Sequence, residues 1–280
     1  MSKKVYEIIT ERILEQLDKG IIPWEKPWTG QGKCISRSTG KAYSFLNEML
    51  LDRQGEYATF KQIQKDGGRV KKGAKSYIVT FWKMLPIEEE NKKGEKVTKT
   101  IPLLRYYNVF NLEDCENIEP KHLDKLKDTE FKSDKDSEET IKDYFDRHGI
   151  NFENIAGNRA YYSPSNDKVV LPLKKQFDKV SEYYSTLFHE AVHSTGHKSR
   201  LDRINTVASF GSQDYSKEEL VAEIGASTLV NMFGLETSSS FRNNTAYIQS
   251  WSRALKNDVN MIIHASSRAG KAVEMILNNK

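Results

Sequence analysis

Apolar residues recur every fourth position at Val5, Ile9, Ile13 and Leu17, with Ile8 and Leu14 widening the stripe. That spacing predicts an amphipathic helix over residues 3–19, stopped by Gly20 with Pro23 following. Two Trp and two Pro then fall within six residues, so this stretch is expected to be extended or turned, with Trp24 and Trp28 packing against the helix. Short helices are expected at 47–51 and near 59–65. Residues 76–83 (SYIVTFWK) and 103–111 (LLRYYNVFN) are rich in aromatic and β-branched residues and read as two strands. The charged segment between them, IEEENKKGEKVTK, reads as a flexible hairpin tip. The strands then form an antiparallel hairpin carrying Tyr77, Phe81, Trp82, Tyr106, Tyr107 and Phe110.

The pattern changes at 113–139, which is charge-dense and poor in apolar residues, so a partly ordered linker is expected. A helix is expected from Ser137 through Ile141, Tyr144 and Phe145 to Gly149. Residues 160–173 read as strand, Asn-Asp turn, strand. Residues 180–194 read as a helix ended by Gly196, and 216–233 as another, with Ser216 as N-cap, Glu219 at N3 and Gly234 after its end. Two further helices are expected at 245–257 and 259–278. The chain is therefore expected to be an α+β protein with a domain over 1–115, a charged linker over 116–139 and a mainly helical α+β domain over 140–280.

Composition narrows the class. The chain has 280 residues, of which 29% are charged and 38% hydrophobic. No apolar run approaches the roughly 18–20 residues of a transmembrane helix, so no membrane role is expected. Glutamates interrupt the N-terminus where a signal peptide needs an apolar run, and Cys34 and Cys115 are the only cysteines; both point to a reducing cytoplasm. Residues 1–115 hold 21 Lys and Arg against 15 Asp and Glu, a mild pointer to a polyanion partner. Arg69, Lys71, Lys72, Lys75, Lys83 and Arg105 supply the charge. Tyr77, Trp82, Tyr106 and Tyr107 supply aromatic faces on which bases can stack, although strand alternation puts only about half of the aromatics on one face.

The sharpest chemical signal is His189-Glu190-Ala191-Val192-His193, an HExxH motif inside an expected helix. Histidines four apart share one face and can reach one ion. Glu190, on the flank, can take a proton from a water that a bound Zn²⁺, or another divalent metal ion, has acidified. A third ligand is needed. His197 lies beyond the helix-ending Gly196, and the spacing HExxHxxGxxH would need a histidine at Ser199. Glu219 and Glu223 sit four apart on the second helix, so either could ligate while the other orients a histidine. Glu219 is preferred as ligand and Glu223 as its neighbour's support, because the ExxxE order resembles the ExxxD/E of glutamate-ligated zinc peptidases. Glu218 reads as a solvated first-turn residue.

Several blocks in order carry a resemblance that covers nearly all of 1–115 and 160–257. In the first half these are VYEIITERILEQLDKGIIPWEKPW, TFKQIQKDGGRVKKGAKSYIVTFWK and LRYYNVFNLEDCE. In the second they are TLFHEAVHSTGHKSRLDR, SKEELVAEIGA and FGLETSSSFRNNTAYIQSWSRAL. The chain resembles ArdC-type antirestriction proteins, a family associated with plasmids and other mobile elements. The resemblance implies an N-terminal single-stranded-DNA-binding domain and a C-terminal zincin-like domain. It further implies protection of incoming single-stranded DNA from host restriction. One departure is Ser194, where the family leads one to expect a tryptophan, so a packing residue beside the metal helix is missing. Two other readings stand beside this one. The chain could be a metallopeptidase of a host protein that uses DNA only for targeting, or it could hold a structural metal without turnover.

Overall fold

The computed structural model describes residues 2–26, 32–90, 96–122, 134–204, 213–235 and 245–278. Trp28 lies outside them. Helix α1 (Ser2–Leu17) buries Val5, Ile9, Ile13 and Leu17, the stripe that its periodicity marks. A short 3-10 turn, Pro23–Glu25, follows and buries Trp24, whose ring meets Trp251 edge-on at 6.2 Å. Helices α2 (Phe45–Leu50) and α3 (Phe60–Lys65) come next, the second started by a capping box between Thr59 and Gln62.

Strands β1 (Cys34–Ser36), β2 (Gly55–Ala58), β4 (Tyr77–Glu90) and β5 (Lys96–Asn111) form one sheet in the order β1-β2-β5-β4. The β4–β5 ladder runs from Tyr77 opposite Val109 to Glu90 opposite Lys96. The charged segment expected to be a flexible tip is therefore mostly strand. Its consecutive polar side chains suit a ribbon wetted on both faces, and Lys96 and Lys99 approach Glu88 and Glu89 across it at 3.9 and 3.7 Å.

Strands β3 (Arg69–Val70) and β6 (Cys115–Glu116) pair antiparallel. Beyond them the expected linker is tied down over its first residues. Buried Arg37 bonds Glu56 at 2.7 Å and donates to the carbonyl of Glu119, while Glu56 accepts from the backbone of Lys121 and His122. A buried carboxylate paired this way cannot release the segment without losing its partners. Helix α4 (Asp134–His148) starts three residues earlier than its sequence signals suggested.

A third sheet holds β7 (Asn151–Ile155), β8 (Tyr161–Ser163) and β9 (Lys168–Pro172) in the order β7-β9-β8. Strand β9, the second of the two strands expected over 160–173, is paired on both sides, parallel to β7 and antiparallel to β8. Its consecutive Val169, Val170 and Leu171 are all buried, as in a strand covered on both faces.

Four helices complete the described residues: α5 (Val180–Thr195), α6 (Gln213–Met232), α7 (Thr245–Asn257) and α8 (Met261–Leu277). Helix α6 begins upstream of Ser216, which lies inside its first turn rather than capping it. At Gly225 the helices α5 and α6 nearly touch; a Cβ there would stand 2.8 Å from a Val192 methyl. The main core joins both halves of the chain. The α1 stripe and Trp24 belong to the same cluster as Phe188, Val221, Phe233 and Met261. Thr10 donates to the carbonyl of Val259, and Asn231 to that of Lys26. Among the described residues, no helix is long and apolar enough to cross a membrane.

Candidate metal centre and nucleic-acid surface

The close α5–α6 approach brings three ligand atoms together. His189 Nε2 and His193 Nε2 lie 3.1 Å apart. Glu219 places one carboxylate oxygen 3.5 Å from the first and the other 3.4 Å from the second. All three ligand atoms fit within 4.8 Å of one another. Two imidazoles and one carboxylate are a donor set that suits Zn²⁺ and other first-row divalent ions. Burial raises the Glu219 carboxyl, but hydrogen bonds from both histidines outweigh it and hold the group below the usual carboxylate range. His193 feels the converse. Burial opposes its charged form, yet Glu218, Glu219 and the charge of Glu190 push its pKa up to about 10.

Each histidine also has a carboxylate near its other nitrogen. Glu223 stands 3.8 Å from His189 Nδ1 and Glu218 stands 3.5 Å from His193 Nδ1. Such partners fix ring orientation and leave Nε2 for a cation. Glu218 is therefore not the solvated residue that the sequence suggested. It is largely buried and held by Arg203 through two hydrogen bonds, and Arg203 also donates to Thr195 Oγ1 and to the carbonyl of Val192. Arg203 fastens the end of α5 to the start of α6.

Glu190 is buried beside the cluster, with its charge felt by both His193 and Tyr215. Tyr215, one turn before Glu219, donates to that carboxylate. Its pKa is pushed up to about 12 by burial, by Glu219 and by Glu190. Nothing in the motif spacing marked Tyr215; its position depends on α6 beginning at Gln213. His197 turns away, with Nδ1 2.8 Å from Ser199 Oγ and 4.0 Å from Asp167. Asp167 is itself anchored by Arg200 and Tyr162. Ser194 is fully buried, 3.0 Å from the hydroxyl of buried Tyr144, and donates to the carbonyl of Ala191.

The basic and aromatic candidates of the first half separate. Tyr77 is buried and its hydroxyl donates to Asp52, so it offers no free stacking face, contrary to the sequence reading. Lys75 sits 5.2 Å above its ring. Arg69 bonds Glu116 across β3 and β6, and Lys71 donates to the carbonyl of Glu113. Lys72 is exposed in the turn between β3 and β4. Lys83, Arg105, Trp82, Tyr106 and Tyr107 lie on the exposed part of the β4–β5 ribbon. Phe81, absent from the sequence-derived candidates, joins them, its ring 5.0 Å from that of Tyr107. Only the pairing register reveals that contact.

The comparisons with known proteins agree across the chain. Residues 3–110 match the N-terminal domain of the anti-restriction factor ArdC, and residues 139–268 match a zincin-like metallopeptidase domain. Two crystal structures of the antirestriction protein ArdC from plasmid R388 superpose on 98% of this chain and 97% of their own. The Mn(II)-bound one is 33% identical with a TM-score of 0.74, and the metal-free one 34% identical with 0.71. Two Escherichia coli proteins named DNA primase TraC are 33% and 32% identical over 98% and 99% of this chain, which spans only 20% and 27% of their length. An uncharacterized Sinorhizobium fredii protein, y4eC, is 28% identical over 95% of this chain and 89% of its own. With both halves matched in order and an ArdC fold superposed from end to end, this chain belongs to the ArdC family of antirestriction proteins.

Proposed function

We propose that the chain binds single-stranded DNA through its first half and hydrolyses peptide bonds at a divalent-metal centre in its second, protecting incoming DNA from restriction in the cytoplasm. The observation that carries this reading is the convergence of His189, His193 and Glu219 beside Glu190, in a chain that superposes on a Mn(II)-bound ArdC. The bound cation, zinc or another divalent ion, would supply Lewis acidity and bring the pKa of a water to about 7. Glu190, buried beside the three ligands, would serve as the base that takes a water's proton and returns it to the leaving amine. Glu223 and Glu218 hold the imidazoles. The Tyr215 hydroxyl, which gives its hydrogen bond to Glu219 here, would be the donor offered to a developing oxyanion.

Both activities can be measured on the full chain. Loaded with zinc or manganese, it should cleave members of a peptide library, and Glu190→Gln should lower that rate on the order of 10²–10⁴ while leaving metal and DNA affinity intact. Residual cleavage at the parental rate would remove Glu190 from this role, and cleavage by neither protein would leave the metal centre structural. On DNA, the chain should prefer single-stranded to double-stranded oligonucleotides. Three phosphate contacts would give a slope of log affinity against log salt near about −2. A flat salt profile, or equal binding of duplex, would count against the DNA role.

A further inference from the structure

The β4–β5 register sorts the ribbon into two chemically different faces. Paired residues share a face, and alternate residues along a strand share it too. Val79, Phe81 and Lys83 therefore lie with Tyr107, Arg105 and Leu103 on one side. Thr80, Trp82 and Met84 lie with Tyr106, Leu104 and Pro102 on the other. The cores at the foot of the ribbon agree with this division. Tyr77, Val79 and Val109 sit in a small cluster with Cys34 and Tyr57, whereas Ile78 and Leu104 sit in the main core.

Charge distinguishes the two faces. The first carries Lys83 and Arg105 flanking the exposed Phe81–Tyr107 ring pair. It continues downward through an aromatic run: Tyr43 meets Tyr57, and Tyr57 meets Tyr77, each edge-on at 6.3 Å, with Lys75 above the last ring. The second face is aromatic and apolar, with Trp82 50% and Met84 57% exposed, but between residues 80 and 86 and their partners it has no basic side chain. Single-stranded binding needs both components, cations that track phosphates and rings that stack on bases.

We propose that single-stranded DNA lies on the Phe81–Tyr107 face alone, bases stacking on those two rings and phosphates meeting Lys83, Arg105 and Lys75. Trp82 and Tyr106, although more prominent in the sequence, face away from it. This assignment rests on the single-stranded-DNA reading above and specifies its surface.

The test is fluorescence anisotropy of a labelled oligo(dT) 20-mer with full-length variants. Phe81→Ala and Tyr107→Ala should each weaken binding about 5- to 100-fold. Arg105→Gln and Lys83→Gln should each reduce the salt slope by about 0.7. Trp82→Ala and Tyr106→Ala should stay within about twofold of the parent, on the principle that truncating a side chain outside the contact changes little. Cross-linking of a bromodeoxyuridine-substituted oligonucleotide to the unmodified protein gives a readout independent of variant folding, and should label the peptide at Phe81 or Tyr107. Loss of binding on the Trp82 side, or cross-links at Trp82 or Tyr106, overturns the face assignment while leaving single-stranded binding standing. A parent protein that binds no oligonucleotide overturns both.

Discussion

Replacing Glu219 with alanine lowers divalent-cation affinity on the order of 10³-fold, whereas Glu223→Gln lowers it about 10- to 100-fold. The asymmetry follows from which nitrogen each carboxylate faces. Glu219 approaches the Nε2 atoms of both histidines, where a cation would lie, so its loss deletes a donor. Glu223 approaches Nδ1 of His189 from behind, so its loss only frees the ring to turn. Glu218→Gln should resemble Glu223→Gln, acting through His193. The affinity of the parent also depends on pH in a definite direction. The carboxylates around His193 favour its protonated form, and a cation must displace that proton, so binding strengthens as pH rises. Competition against a chromophoric chelator, with zinc and manganese in turn, measures all of these. Equal losses for Glu219→Ala and Glu223→Gln, or a larger one for Glu223→Gln, would exchange their roles.

The second large effect lies away from the ligands. Gly225→Leu should destabilise the fold by about 3 kcal/mol, the upper range for overpacking, and lower Tm by roughly 6–12 °C. Glycine is present because two helix backbones need the room. Even a bare Cβ would stand 2.8 and 3.0 Å from the two methyls of Val192, and a leucine extends well beyond that. Val192 immediately precedes His193, so forcing the helices apart also draws the imidazole from Glu219. Metal affinity should fall together with stability. Val192→Ala in the same chain restores space and should recover much of both. A Gly225→Leu protein that melts like the parent, or a double variant no better than the single, would refute the close-packing argument.

How much of this was legible in the sequence depended on whether one residue pattern had one structural solution. The helices with one buried stripe were legible, α1 most clearly, because a period near four has few alternatives. The HExxH helix and its glutamate partner were legible because spacing four on two helices constrains both faces. Glu218 was not. It adjoins Glu219, and only the fold shows Arg203 drawing it inward. The outer ribbon was misjudged because a run of consecutive polar residues looks like a loop when neither face is buried. Strand β7 gave no signal for the same reason, with all five of its residues exposed. Tyr77 failed differently. Both faces are covered at the foot of the ribbon, so burial there depends on height along the strand and not on parity.

The core that joins α1 to the later helices also limits how this block can be cut and transplanted. A break near residue 115 would leave Val5, Ile9, Ile13, Leu17 and Trp24 as an open apolar stripe on one fragment. It would leave their former partners around Trp251 uncovered on the other. Exposed surfaces of that kind drive fragments to recombine or aggregate. The TraC relatives show the same unit from outside: the match runs over 98% and 99% of this chain inside proteins of which it makes up a fifth and about a quarter. The graft that can be moved from one polypeptide to another is the joined pair, and an engineer wishing to borrow the aromatic ribbon or the His189–His193–Glu219 cluster should expect to carry both.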